Sequence, residues 1–200
     1  MIKVVGKNFD IEQFAYQLRN WRSRYGSLKV DAGTAIGKML GALTVHGSLS
    51  AVLCQRVGDS AWNGGRLVNL GLLGKRVVTD AGVAHLVDDW QDGSGNISNF
   101  NYHDSGTDNT AEAQTQTNLI AEAGPTTRAT GVLTQPSANV VQSVGTITYG
   151  GTLAIVEHGL FSTASRATDL MWDRTVFAAI NVVSSDAIEF TYQATFTAGS

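Results

Sequence analysis

One cysteine, two prolines and a charged fraction of only 16% mark what this 200-residue chain has little of. A single thiol, Cys54, excludes an intrachain disulfide. It stands in the apolar run Leu49-Ser50-Ala51-Val52-Leu53-Cys54 and is expected to be a buried, inert thiol. No uninterrupted apolar stretch approaches the roughly 18 residues of a membrane span, and Met1-Ile2-Lys3-Val4-Val5-Gly6 lacks the apolar core of a signal peptide, so neither is expected. The charged fraction lies below the usual value of about 25%. Low charge with 22 glycines and a hydrophobic fraction of 43% fits a β-protein with many turns. It also fits a surface covered by neighbours, since interface cores are depleted in charge.

The charge that is present is divided. Residues 1–80 hold five lysines and six arginines against five acids, a net +6, whereas residues 81–200 hold three arginines against twelve acids, a net −9. Complementary ends of this kind suit the packing of one subunit against the next. The basic half has no basic cluster and no aromatic platform, so direct nucleic-acid binding is not expected.

Along the chain, Ile11, Phe14, Leu18, Trp21 and Tyr25 recur at helical spacing, with Asp10 and Gln13 as a capping box and Gly26 as a stop. Arg19, Arg22 and Arg24 lie off that stripe and, with Trp21 and Tyr25, are the candidate interface residues. Residues 27–58 lack clean alternation and are expected to be extended, bulged strands or an arm. Leu67 to Val78 reads as one or two strands broken at Gly71 and Gly74. Thr79 is positioned to cap a helix over about 80–91, where Val83, Leu86, Val87 and Trp90 form an amphipathic face with Trp90 in the core. A strand over 97–103 and a polar loop over 104–118 follow, with a further short strand expected between Leu119 and Gly131. Two hairpins are expected near the C-terminus, one around Gly150-Gly151 and one around Ser184-Ser185-Asp186. The last strand alternates cleanly through Ile188, Phe190, Tyr192, Ala194 and Phe196. The fold expected is mainly β, an antiparallel, jelly-roll-like sandwich over residues 66–200, preceded by a helix and arm over residues 1–65.

No motif makes a case for an enzyme. His103, Asp104 and Ser105 are adjacent, but no Gly-x-Ser-x-Gly elbow exists, and neighbours in a strand point to opposite faces. His103 or His158 with Glu157 or Glu112 lacks paired metal-ligand spacing, and His158 is expected to fix a turn at Gly159. Asp92-Gly93-Ser94-Gly95-Asn96 opens like a calcium loop, but Ile97 replaces its central glycine and His103 its closing glutamate. There is no phosphate loop and no dinucleotide fingerprint, so no cofactor is expected. Trp62 and Trp172 are the candidate sugar platforms.

Several strings occur in a definite order: Arg76-Val77-Val78-Thr79-Asp80-Ala81-Gly82-Val83, Asn99 through Thr107, Thr110-Ala111-Glu112-Ala113, Thr127 through Gly131, Glu157 through Ser162, Trp172 through Val182 and Phe190 through Gly199. In these strings, from about Leu70 onward, the chain resembles a family of tailed-bacteriophage virion proteins. The resemblance implies a non-enzymatic virion component assembled in the host cytoplasm. Within that class a capsid decoration (cement) protein is expected, a homo-oligomer with a trimer favoured, gripping the major capsid protein. A tail, baseplate or head–tail protein is the alternative, and a host-glycan-binding module a further one.

Overall fold

The computed structural model describes residues 44–56, 65–92, 96–166 and 170–198. Residues 45–197 form one compact unit; a second, residues 1–44 with 198–200, falls almost wholly outside the described residues. The helix expected over residues 10–25, with Arg19, Trp21, Arg22, Arg24 and Tyr25, therefore lies outside them, as does Trp62.

Among the described residues nine strands run in chain order: β1 (Thr44–Gln55), β2 (Arg66–Val78), β3 (Tyr102–Gly106), β4 (Ala129–Thr130), β5 (Val132–Ser137), β6 (Val140–Thr148), β7 (Leu153–Phe161), β8 (Met171–Val182) and β9 (Ala187–Thr197). Helix α1 (Asp80–Asp92) follows β2, and a 3-10 turn (Ile97–Asn99) precedes β3. The strands form one sheet in the order β4-β3-β7-β8-β2-β1-β9-β6-β5. Every pairing whose register is given is antiparallel. The expectation from the sequence is thus met in its coarser part, mainly β and antiparallel. The strands make one continuous sheet, curled into a nearly closed barrel.

Two bends produce the curl. β2 pairs with β1 along most of its length and passes to β8 at Val77 and Val78. β4 and β5 stand at opposite ends of the strand order yet are separated only by Gly131, whose N–H donates to Asn101 O at 2.6 Å. A Cβ on Gly131 would stand 2.7 Å from His103 Nε2, so only glycine fits at this seam.

Period-two burial builds the core. Leu49, Ala51 and Leu53 of β1 and Ile188, Phe190, Tyr192 and Ala194 of β9 point inward, joined by Ile147, Ile155, Phe177, Ile180 and Val182. β1 sits between β2 and β9, so the sheet runs across residue 65, where a boundary was expected. Neither C-terminal hairpin forms. β6 leaves Gly150-Gly151 to pair with β9 while β7 pairs with β3 and β8, and the turn at Ser185, whose φ is +74°, carries the chain from β8 across to β9. Local turn chemistry was legible, but the partner of each strand is set by core packing across the barrel.

Thr79 caps α1 as expected, its hydroxyl accepting from Gly82 N at 3.0 Å. Of the apolar face expected for α1, Leu86 packs against the core, whereas Val83 and Val87 are exposed. Gly82 lies so close to Trp172 that an added Cβ would stand 2.8 Å from its carbonyl oxygen, and Trp90 is exposed. The strand expected over 97–103 is a 3-10 turn followed by β3, and Cys54 is half-buried rather than buried.

Candidate functional site

Three adjacent pairs in the middle strands carry polar chemistry: His103-Asp104 on β3, Glu157-His158 on β7 and Asp173-Arg174 on β8. All six side chains are buried. Because neighbours in a strand face opposite ways, each pair is divided between the barrel interior and its outer surface. His103, His158 and Asp173 enter the interior. Asp104, Glu157 and Arg174 point outward, beneath the long irregular segment 107–128.

The interior set is a chain of hydrogen bonds. Arg76 Nη1 lies 2.7 Å from His158 Nδ1, His158 Nε2 lies 3.0 Å from His103 Nδ1, and His103 Nε2 lies 2.8 Å from Ser143 Oγ. The direction is fixed by its first member, since a guanidinium only donates. Arg76 donates to His158 Nδ1, so the His158 proton sits on Nε2 and is donated to His103 Nδ1. The His103 proton then sits on Nε2 and is donated to Ser143. Arg76 also pairs with Asp173 and lies over the Tyr192 ring, and Trp172 Nε1 donates to the Tyr192 hydroxyl at 2.6 Å.

Burial and this cationic neighbour decide the charges. Burial, then Arg76, lowers His103 to about 3. The same causes, with His103 added, hold His158 well below its ordinary value. Burial pushes Asp173 up to about 6 against the opposing pull of Arg76. Burial, reinforced by the Asp173 charge, raises the Tyr192 phenol well above its usual value.

A serine bonded to a histidine invites comparison with a nucleophile and its base. Here the polarity is reversed: the imidazole gives its proton to the serine, whereas a general base must present a lone pair to it. Ser143, His103 and His158 are also completely buried. The chemistry available to the set is structural, joining β2, β7, β3 and β6 through the core.

The outer set ties down segment 107–128. Glu157 accepts from Ala121 N at 2.9 Å, from Ile120 N at 3.3 Å and from Arg174 Nε at 2.8 Å. Arg174 Nη1 donates to Thr110 O at 2.9 Å and to Gln116 Oε1 at 3.2 Å. Nearby, Arg166 makes a two-pronged bond to Asp104 at 2.9 Å on each arm. Arg128 pairs with Glu122 at 3.0 Å and stacks 3.6 Å over the Phe161 ring. Glu112 accepts from Val176 N at 2.6 Å.

The sequence-based candidates are thereby relocated. His103 and Asp104 are separated onto two faces. His158 lies within β7 and bonds to Arg76 and His103, instead of fixing a turn at Gly159. Trp172 is buried and offers no platform for a sugar. Among the described residues no group of three His, Cys, Asp or Glu is placed to hold a metal ion. Arg76, Ser143, Asp173 and Arg174 were not singled out from the sequence. The signal for the last two was an Asp-Arg dipeptide inside the apolar run Met171 to Phe177, where neither face of the strand offers solvent. Compared with known protein families, with curated proteins and with solved structures, the chain has no match.

Proposed function

We propose that this protein is a structural component of a tailed-bacteriophage particle, with a capsid decoration protein as the leading assignment. The observation that carries the reading is the use made of the buried polar side chains. Arg76, His103, His158, Asp173, Glu157 and Arg174 are spent on joining strands and pinning segment 107–128. That is the economy of a rigid block and not of a reaction centre, in keeping with a protein that works by holding a shape. The resemblance of residues 70–199 to phage virion proteins supports the same class, and the divided charge suits repeated contact with neighbours. On this reading the partner is the major capsid protein, and the protein reinforces the shell by shared buried area. A tail or head–tail position is the alternative within the class.

The test is quantitative mass spectrometry of purified virions from the phage that encodes the chain. Roughly one copy, or one-third of a copy, per major capsid protein is expected for a decoration protein on a symmetric shell. A few to a few dozen copies per particle would move it to the tail or a unique vertex. Absence from particles would overturn the virion reading.

A further inference from the structure

The strand order divides into two arcs. β2, β1, β9, β6 and β5 form one, and β4, β3, β7 and β8 the other. Within the arcs the ladders are long, with nine paired positions between β6 and β9 and eight between β7 and β8. The arcs meet at two thin junctions. β2 pairs with β8 at Val77 and Val78. At the seam the chain passes from β4 to β5 through Gly131, and β4 holds β3 at two positions, Tyr102 with Thr130 and His103 with Ala129.

The interior polar chain spans both junctions. It starts on β2 with Arg76, crosses the second arc through His158 and His103, and returns to the first at Ser143 of β6. At the β2–β8 junction Arg76 holds the Asp173 carboxylate and donates to His158 O at 3.3 Å and to Asp173 O at 3.2 Å. At the seam the His103 ring is wedged between glycines. A Cβ on Gly131 would stand 2.7 Å from its Nε2, and one on Gly145 2.5 Å from its Cδ2.

This chain has no arrangement that accepts another proton. Each imidazole uses one ring nitrogen to accept and the other to donate, and a second proton turns the acceptor into a donor. On His158 the new N–H would face the Arg76 guanidinium. On His103 it would face the N–H of His158. Exchanging the His158 tautomer would only move the clash to Arg76, which cannot accept. The surrounding groups give no relief. Asp173 of β8 is engaged by Arg76, β1 presents Gly47 to that pair, and β9 presents Phe190 and Tyr192. Tyr149 bonds Ser105 Oγ at 2.9 Å, and burial raises both phenols above their usual value, so neither titrates in acid. The carboxylates of Asp104 and Glu157 lie on the outer face, bonded to Arg166 and Arg174.

We propose that the polar chain is a proton-sensitive clasp: acid releases the seam between β3 and β6 while the Arg76–Asp173 junction and the ladders of both arcs stay closed. The seam yields first because its bond runs from a ring that titrates, whereas Arg76 keeps its charge. Opening brings His103 to water, where it takes up a proton at the ordinary imidazole value of about 6.5. The closed seam excludes that proton, so its hold is complete above about pH 6.5 and weakens as pH falls. One proton per opening raises the open fraction roughly twentyfold between pH 7 and pH 5. The clasp is a property of the fold and does not depend on the virion reading.

The experiment is hydrogen exchange of the full chain at pH 7 and pH 5, without urea and in low urea, with rates corrected for intrinsic exchange. The reporter is the Gly131 N–H, bonded to Asn101 O at 2.6 Å beside His103. Its opening is expected to rise about twentyfold at pH 5 and to be insensitive to urea, as a local opening is. The β6–β9 and β7–β8 amides should stay more protected and respond to urea. Ser143→Ala removes the seam bond but keeps the ring, and should raise Gly131 opening about tenfold at both pH values. His103→Gln keeps a donor and an acceptor that do not titrate, and should flatten the pH response. Wild type and Ser143→Ala decide alone where His103→Gln does not fold. Gly131 exchange that tracks the ladders in rate and urea response, or is the same at pH 7 and pH 5, would overturn the proposal. So would exchange that ignores Ser143→Ala, or a pH response that survives in folded His103→Gln.

Discussion

His103 of β3 and Ser143 of β6 are bonded, Nε2 to Oγ at 2.8 Å, across the seam where the curled sheet meets itself. No run of strand pairing joins β3 directly to β6. The side-chain bond, with Gly131 and the short β4 beside it, holds the two ends of the sheet together.

Arg76 is the origin of the interior chain and the counter-charge of Asp173. Arg76→Met is expected to leave that carboxylate buried and unpaired, at a cost of about 3–5 kcal/mol. Double replacement with Asp173→Leu should recover much of the loss. Urea midpoints of the three proteins measure both effects.

Acid should destabilise the barrel earlier than its carboxylates alone would. His103 and His158 have lowered values in the folded state, so below about pH 6.5 the unfolded chain binds protons that the folded one refuses. Their stabilisation is present above that pH and is lost as pH falls. Asp173, raised to about 6, acts the other way: it costs stability at higher pH and relieves that cost as it protonates. Two losses against one gain leave a net fall in stability as the pH drops below about 6. Unfolding free energies at pH 7, 6 and 5 check the slope, and a flat profile would contradict the buried neutral histidines.

Gly145 touches the His103 ring so closely that an added Cβ would stand 2.5 Å from Cδ2. Gly145→Ala is expected to cost at least about 1–3 kcal/mol through overpacking. Gly150→Ala, with nothing within 4 Å, should change stability little. The contrast is read as a difference in melting temperature.

Glu157→Gln removes the charge that accepts from Ala121, Ile120 and Arg174. Faster amide exchange is expected across 107–128, with β6 and β9 still protected. Uniform loss of protection would show that the segment and the barrel unfold together.

Much of this was readable in the sequence wherever one face of a strand meets water. β9 shows itself because Glu189, Thr191 and Gln193 alternate with buried residues. α1 was placed by Thr79, but Val83, Val87 and Trp90 form as good an apolar stripe as the face that packs, and periodicity cannot say which stripe is covered. β1 was obscured because both of its faces carry apolar or small residues. The polar chain was invisible because its members come from four strands, and only the curl brings Arg76, His158, His103 and Ser143 into line. His103 and Asp104 were correctly seen to point apart; that their neighbours at 157–158 and 173–174 divide in the same way required the register of β3, β7 and β8.

The position of β9 has a kinetic consequence. It is the last of the nine strands in chain order, yet it lies between β1 and β6 in the sheet. Until it is present, β1 and β6 have no ladder between them, and pairings such as Val140 with Thr195 and Val77 with Arg174 close long loops. A topology this rich in distant contacts folds slowly, and its sheet cannot be completed before β9 has been made. The interval in which unfinished strands stand open is then the time when this protein most needs protection from its own copies.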